Sequence, residues 1–258
     1  MSTLSVTVDA RLARTVSLTG RLKERTASLP AVRPVVHGLD FLARGVFHVW
    51  RNRRYLTPIK MANMALINVQ FKLKTQRVIG RPYKMKIEST NICNTHCQLC
   101  PTGLGVHGRP KGKMTLDGFK RLIDQFRRTL FTVDLSMWGD PLIVPEIFDM
   151  VRHAHDRGVW TYISSNLHAF KPDKDHARKL VESGLDMLTC SLHAASQETF
   201  AIYQPGKSLA DTVAKVRHLV ETRDRMGSAM PVVQLNFVVT RHNEHEREAF
   251  QKLADELG

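Results

Sequence analysis

Residues 85–101 read MKIESTNICNTHCQLCP, and the way this stretch begins and ends decides the fold. Its first six residues have the pattern of a short strand. The rest carries Cys93, Cys97 and Cys100 in CxxxCxxC spacing. In sheets built from repeated strand–helix units, chemistry sits at the C-terminal ends of the strands. A strand that delivers three thiols into a loop is therefore expected to open such a sheet.

The alternation continues downstream. Thr115 is placed to cap a helix with Phe119, Leu122, Ile123 and Phe126 at i, i+3, i+4 and i+7. Residues 131–138 alternate as a strand does. Pro145 suits the first turn of a helix bearing Ile147, Met150, Val151 and Ala154, which Gly158 stops. Residues 159–164 and 187–193 are further strands, separated by a helix with Ala177, Leu180 and Val181 that ends near Gly184. Ser208, with Asp211 three residues on, opens a helix bearing Leu209, Val213, Val216 and Val220, ended by Gly227. Residues 232–240 are a long β-rich run, and a last helix carries Phe250, Leu253 and Leu257. Five strand–helix units in succession predict an α/β fold with a parallel sheet and helices outside, a partial (β/α) barrel over residues 84–258.

Three thiolates within eight residues can wrap one soft-metal centre, because sulfur favours iron–sulfur clusters, zinc or copper(I). A cubane cluster ordinarily takes four Cys, so three leave one iron open to a non-protein ligand. Structural zinc wants a fourth ligand, and His96 lies between the cysteines, but the second, distant ligand pair of usual zinc sites is missing. A disulfide would leave one of the three unpaired. The spacing favours iron–sulfur over zinc.

CNTHCQLC, following a strand and heading a run of βα units, resembles the signature of the radical S-adenosylmethionine (radical SAM) superfamily, and the resemblance extends over residues 84–258. It implies a [4Fe–4S] cluster on Cys93, Cys97 and Cys100 whose open iron chelates the amino and carboxylate groups of SAM. It implies reductive cleavage of SAM to methionine and a 5′-deoxyadenosyl radical that abstracts hydrogen from a substrate, with a small flavodoxin- or ferredoxin-type electron donor as partner.

The resemblance also marks positions for SAM contact. WGDP (138–141) is similar to the Gly-Gly-Glu-type motif whose backbone meets the SAM amino group, with Trp138 for the first Gly and Asp140 for the Glu. Gly139 there allows close backbone approach, and Pro141 completes the turn. ISSN (163–166) marks Ser164 and Asn166 for the SAM carboxylate or ribose. SLHAASQETFAIYQPGKS (191–208) resembles the S-[IL]-D-x-A-S-Q-E-T-Y segment of relatives that carry a C-terminal SPASM-type domain. Ser191 is carried over from it, while His193 replaces the usual Asp. Leu99 in the cysteine loop, with Asn236 and Val238 on the fifth strand, completes the expected contacts. Strand alternation turns Cys190 toward the helices as a packed thiol. His96 and His107 read as solvated or capping residues. Arg109, Lys111 and Lys113 form a basic loop that is solvated by default, with an anionic substrate as the sharper reading.

The 258 residues are 43% hydrophobic and 24% charged, which excludes a disordered or collagen-like chain. Four Cys exclude a disulfide scaffold. No run of about 18 apolar residues appears. The net charge of +14 is uneven: residues 1–83 hold 15 of the 38 Lys and Arg but 3 of the 24 acids. They are read as a basic, helical N-terminal extension. Residues 1–34 read as a loose tail rather than a transit or signal peptide. Residues 36–54 place Leu39, Leu42, Val46 and Trp50 at helical spacing, and a second stretch carries Ile59, Met64, Ile67 and Phe71 with Lys72, Lys74 and Arg77 beyond. Two readings of residues 36–77 stand together: packing on the neighbouring domain, or peripheral contact with an anionic membrane. Nucleic acid is disfavoured, since no aromatic platform or reading motif is present.

A sixth βα unit is expected where the chain stops at DELG, so the sequence reads as a piece of a longer protein with an exposed edge strand. The expected function is a radical SAM oxidoreductase in the reducing cytoplasm, or associated with the membrane from that side, acting on an unidentified peptide, lipid or sugar. The alternative is a zinc-stabilised α/β binding module whose basic tail docks on membrane or nucleic acid.

Overall fold

The computed structural model describes residues 3–8, 53–106 and 108–258. The helix expected over 36–54, but for its last two residues, lies outside the described residues. So do His107 and the tail read over 1–34, apart from residues 3–8.

One six-stranded sheet organises the chain, in the order β1 (Thr3–Val8), β6 (Val232–Val238), β5 (Met187–Ser191), β4 (Trp160–Ser165), β3 (Thr132–Asp134), β2 (Lys84–Lys86). From β2 to β6 all pairings are parallel and follow chain order, with Met85 opposite Val133, Val133 opposite Thr161 and Leu188 opposite Val233. Parallel neighbours need crossovers. These are α2 (Leu116–Phe126), α3 (Ile147–Asp156), α4 (His176–Glu182), then the pair α5 (Gln197–Tyr203) and α6 (Leu209–Arg225). Helix α7 (Arg247–Glu256) follows β6. Thr115 and Ser208 cap α2 and α6 through the backbone N–H groups of Gly118 and Asp211. The five expected strand–helix units are all present, and the sheet is open rather than closed.

The core lies between sheet and helices. Phe119, Ile123, Met150, Val151, Leu180, Val216, Leu219 and Phe250 from the helices bury completely against Val133, Ile163, Leu188, Leu235 and Phe237. Cys190 belongs to this layer, as alternation requires, and burial pushes its thiol well above the usual range. The other face of β4–β6 carries Ser164, Ser191, Asn236 and Val238, which are only half-buried.

Two readings of local structure are corrected. The segment TLSVTV, assigned to a loose or helical tail, is strand β1, antiparallel to β6 with Thr3 opposite Val238 and Val8 opposite Val233. Its β-branched alternation suits a strand, and the pairing occupies the edge of β6 that was expected to lie bare. The segment 191–208, to which no helix was assigned from sequence, holds α5, capped by Ser196, whose hydroxyl accepts from Thr199 N–H.

Before β2 lies α1 (Pro58–Lys72), capped by Thr57 with Pro58 in its first turn. It is tied to the N-terminal ends of the strands. Tyr55 and Arg54 both donate to Asp186, the residue before β5, and Asp186 also accepts from Thr161 N–H at 2.8 Å. The Lys60 ammonium, buried and pushed down to about 8 by that burial, donates to the Gly158 carbonyl just ahead of β4.

Candidate functional site

Cys93, Cys97 and Cys100 sit in the loop at the C-terminal end of β2, all half-buried. The loop is held by backbone packing that only small residues permit. Gly103 lies where a Cβ would come within 2.4 Å of the Cys97 carbonyl oxygen, so the chain folds back directly on the thiol-bearing segment. The second close approach is Gly139, whose Cβ would lie 2.2 Å from the Thr90 carbonyl oxygen. Beside it the Asp140 N–H donates to the Ile92 carbonyl at 3.0 Å. The WGDP turn therefore braces the segment leading into the cysteines.

Cys93 and Cys97 share one environment. The Thr95 hydroxyl, itself buried, stands 3.1 Å from Cys93 Sγ and 3.5 Å from Cys97 Sγ. Asn166, at the end of β4, points its amide at Cys93 Sγ (3.5 Å), Asn94 Oδ1 (3.1 Å) and Thr95 Oγ1 (3.4 Å). Burial raises the Cys97 thiol above its ordinary value; the Thr95 hydrogen bond opposes this, and the nearby Cys93 and Cys100 add to it. A cationic centre would relieve that mutual repulsion, and three thiols on one short loop are the donor chemistry of an iron–sulfur cluster. Among the described residues no group of three or more His, Cys, Asp or Glu is gathered closely enough for a single metal ion. His96 is exposed. Nothing in this geometry supports the zinc-stabilised module.

Asp140 is the hub behind the thiols. It is buried, and its carboxylate accepts from Leu142 N–H (2.9 Å), Asn166 N–H (2.8 Å) and the Ser165 hydroxyl (2.9 and 3.1 Å). Burial nonetheless raises its pKa, against those donors. These bonds join the end of β3 to the end of β4 and aim Asn166 at the cysteine loop. Pro141, buried behind it, starts the 3-10 turn Pro141–Ile143. Ser164 and Ser191 face each other across β4 and β5 with hydroxyls 3.4 Å apart, and Ser191 is opposite Asn236.

His193 departs from simple alternation. Its φ is +63°, so the chain turns at the end of β5, and its buried ring accepts from Val238 N–H at Nδ1, 3.1 Å away. Accepting there requires the neutral ring with its proton on Nε2, and burial pushes the group down to about 4. The ring packs on Tyr203, centroids 4.4 Å apart. Leu99, half exposed, faces these rings across a cavity of about 220 Å³ also lined by Ile202, Thr240 and Asn243. Burial, and then the charges of Cys97 and Cys100, push the Tyr203 hydroxyl up to about 12.

Every expected cofactor-contact residue thus lies at the C-terminal strand ends, but they form separate groups: Gly139, Asp140, Pro141 and Asn166 beside the cysteine loop, Leu99 and His193 on the cavity with Val238 bonded to the His193 ring, and Ser164, Ser191 and Asn236 along β4–β6. Sequence reasoning missed Thr95, Tyr203 and Glu88. Glu88 pairs with Arg109 at 2.9 Å and accepts from Trp138 N–H, so the basic loop is not simply solvated at Arg109. Thr95 alone was legible, as the one hydroxyl inside the CxxxC spacing.

The family model described as Radical SAM superfamily matches residues 87–254. The AdoMet-dependent heme synthase of Methanosarcina barkeri is 28% identical over 66% of this chain and 46% of its own length. The probable GTP 3′,8-cyclase of Saccharolobus islandicus is 29% identical over 69% of this chain and 55% of its own. The chain spans about half the length of these curated relatives. Among solved structures, SuiB of Streptococcus suis bound to S-adenosylmethionine is similar at 15% identity and a TM-score of 0.49, over 81% of this chain and 42% of that one.

Proposed function

The chain belongs to the radical SAM superfamily, and from that premise we propose that it cleaves S-adenosylmethionine reductively to take a hydrogen atom from its substrate. The family uses a [4Fe–4S] cluster and S-adenosylmethionine. The observation that supports the reading is the cysteine loop at the mouth of the parallel sheet, where Thr95 meets the Cys93 and Cys97 sulfurs, Asn166 donates to Cys93 Sγ, and Cys100 follows three residues on. Cys93, Cys97 and Cys100 would hold the cluster, which would pass on the electron needed for reductive cleavage of SAM.

The chain's own residues position and exclude. Asn166 donates to the Cys93 sulfur and orients the loop. Asp140 is buried and holds Asn166 N–H, Leu142 N–H and the Ser165 hydroxyl, so its part is positioning. The Gly139 backbone lies directly against residues 90–92 and fixes the segment that leads into the cysteines. Ser164, Ser191 and Asn236 offer a polar row for the carboxylate and ribose of SAM. The cavity between Leu99, His193, Ile202 and Tyr203, with Thr240 and Asn243 at its edge, offers apolar and aromatic surface that suits the adenine ring. A small flavodoxin- or ferredoxin-type protein is the electron donor, and a reducing cytoplasm suits the cluster. Among the described residues no helix is long and apolar enough to cross a membrane.

Anaerobic reconstitution with iron and sulfide tests the proposal. The parent is expected to bind about four iron per chain and to release 5′-deoxyadenosine from SAM with dithionite. The Cys93→Ala, Cys97→Ala, Cys100→Ala triple variant is expected to do neither. Equal iron content and equal cleavage in both proteins would refute it.

A further inference from the structure

Helix α1 is inverted with respect to an ordinary surface helix. Its inner face is polar. Lys60, Asn63 and Gln70 are buried, and the two amides close on the returning loop: Asn63 pairs with both backbone groups of Arg81, and Gln70 with Arg77 O, Ile79 N–H and Gly80 N–H. Its exposed side, which also carries Asn68 and Lys72, leaves large apolar side chains in solvent. Leu66 and Val69 are 38% and 52% exposed, and around the helix end Phe71, Leu73, Val78 and Ile79 stand 69% to 82% exposed. Scattered apolar residues need no explanation, but a contiguous patch does.

The charges beside the patch have one sign. Lys72, Lys74 and Arg77 are exposed among these residues and form no ion pair among the described residues. From residue 41 to residue 87 the chain contains no Asp or Glu. The patch also has a defined place. Tyr55, Lys60 and the loop into β2 all meet the sheet at the N-terminal ends of its strands, whereas the thiols lie at the opposite ends.

We infer that this face docks on an anionic lipid bilayer, α1 lying in the headgroup region with its apolar stripe in the acyl boundary. The charge pattern selects this occupant. A second copy of the chain would set the same cations against one another across a two-fold axis. Residues 9–52 of the same chain carry 8 Lys and Arg against 3 acids, so they too would bring like charge. An anionic surface meets both the cations and the apolar side chains. In this pose the mouth of the sheet faces away from the bilayer, toward a substrate in the aqueous phase. The inference does not depend on the radical chemistry.

The full chain should co-sediment with vesicles of phosphatidylcholine plus phosphatidylglycerol at low salt, far less with phosphatidylcholine alone, and less at high salt. With each cation near the surface contributing about fivefold, the Lys72→Glu, Lys74→Glu, Arg77→Glu variant should bind roughly 100-fold more weakly. Phe71→Ser with Leu73→Ser should weaken binding at both salt levels while leaving the thermal melt in place. No sedimentation with anionic vesicles, or sedimentation unchanged in both variants, would overturn the inference. So would a lowered melt in the Ser variant without lipid, which would show the face covered by the chain itself, or a dimer in equilibrium sedimentation that the Ser variant dissociates.

Discussion

The two ends of the parallel sheet solve opposite problems. At the C-terminal end, polar groups are drawn inward and bound to one another: Asp140 takes hydrogen bonds from three residues, and Asn166 turns to the thiols. At the N-terminal end, polar groups are also buried, but they serve to fasten an added segment, as Tyr55 and Arg54 do on Asp186. The cost differs. At the mouth, Gly139 and Gly103 bring backbones so close that the loop has one arrangement. At the base, holding α1 by Lys60, Asn63 and Gln70 leaves its apolar side chains facing out. Burial follows whatever can satisfy the backbone opposite, and hydrophobicity alone does not choose the face.

Substitutions at the two ends test this contrast. Asp186→Ala should be the most damaging, since it leaves Thr161 N–H and the Tyr55 hydroxyl buried without an acceptor; a loss of about 4 kcal/mol is expected in urea unfolding. A loss below about 1 kcal/mol would show that the base is not fastened there. Gly139→Ala should cost about 3 kcal/mol, because its methyl would collide with the Thr90 carbonyl rather than with a movable side chain. It should also lower iron retention after reconstitution, which Asp186→Ala should do much less.

The buried His193 provides a pH handle at the mouth. The folded chain keeps the ring neutral down to about 4, whereas the unfolded chain takes up a proton near its ordinary value of about 6.5. Stability is therefore fully present above about pH 6.5 and falls as the pH drops toward 4, by up to about 3 kcal/mol. His193→Asn, an exchange tolerated at φ +63°, should flatten that slope in unfolding curves taken at several pH values. An unchanged slope would place the proton uptake elsewhere. Phe71→Ser should change stability least, by under about 0.5 kcal/mol, as expected of an exposed side chain. A larger loss would erase the contrast between the two ends.

Much of the fold was legible because its signals are local. The capping residues Thr115 and Ser208, the glycines ending helices and the 3.6-residue spacing of Phe119, Ile123 and Phe126 act within one or two turns. The strand pattern of TLSVTV was also present but was passed over, because a six-residue segment becomes a strand only if an unpaired edge awaits it. Helix α1 shows the same limit. Its helical periodicity could be read; which side it buries depended on Asn63 and Gln70 meeting the backbone of the loop at residues 77–81, and periodicity carries no information on such a return of the chain.

The covalent chain by itself determined that three thiols follow a strand within eight residues, in CxxxCxxC spacing on one short loop. It also determined that the following strands run parallel, because each is reached through a helix. Only the tertiary structure decided that Asn166 rather than Asp140 meets the cysteine loop, that His193 turns its ring onto Val238 N–H, and that α1 shows its apolar side to solvent. The first two outcomes depend on which buried donor finds which acceptor across 45 residues or more of sequence, a pairing that exists only once the sheet has brought the strand ends together; the third depends on Asn63 and Gln70 meeting the returning loop.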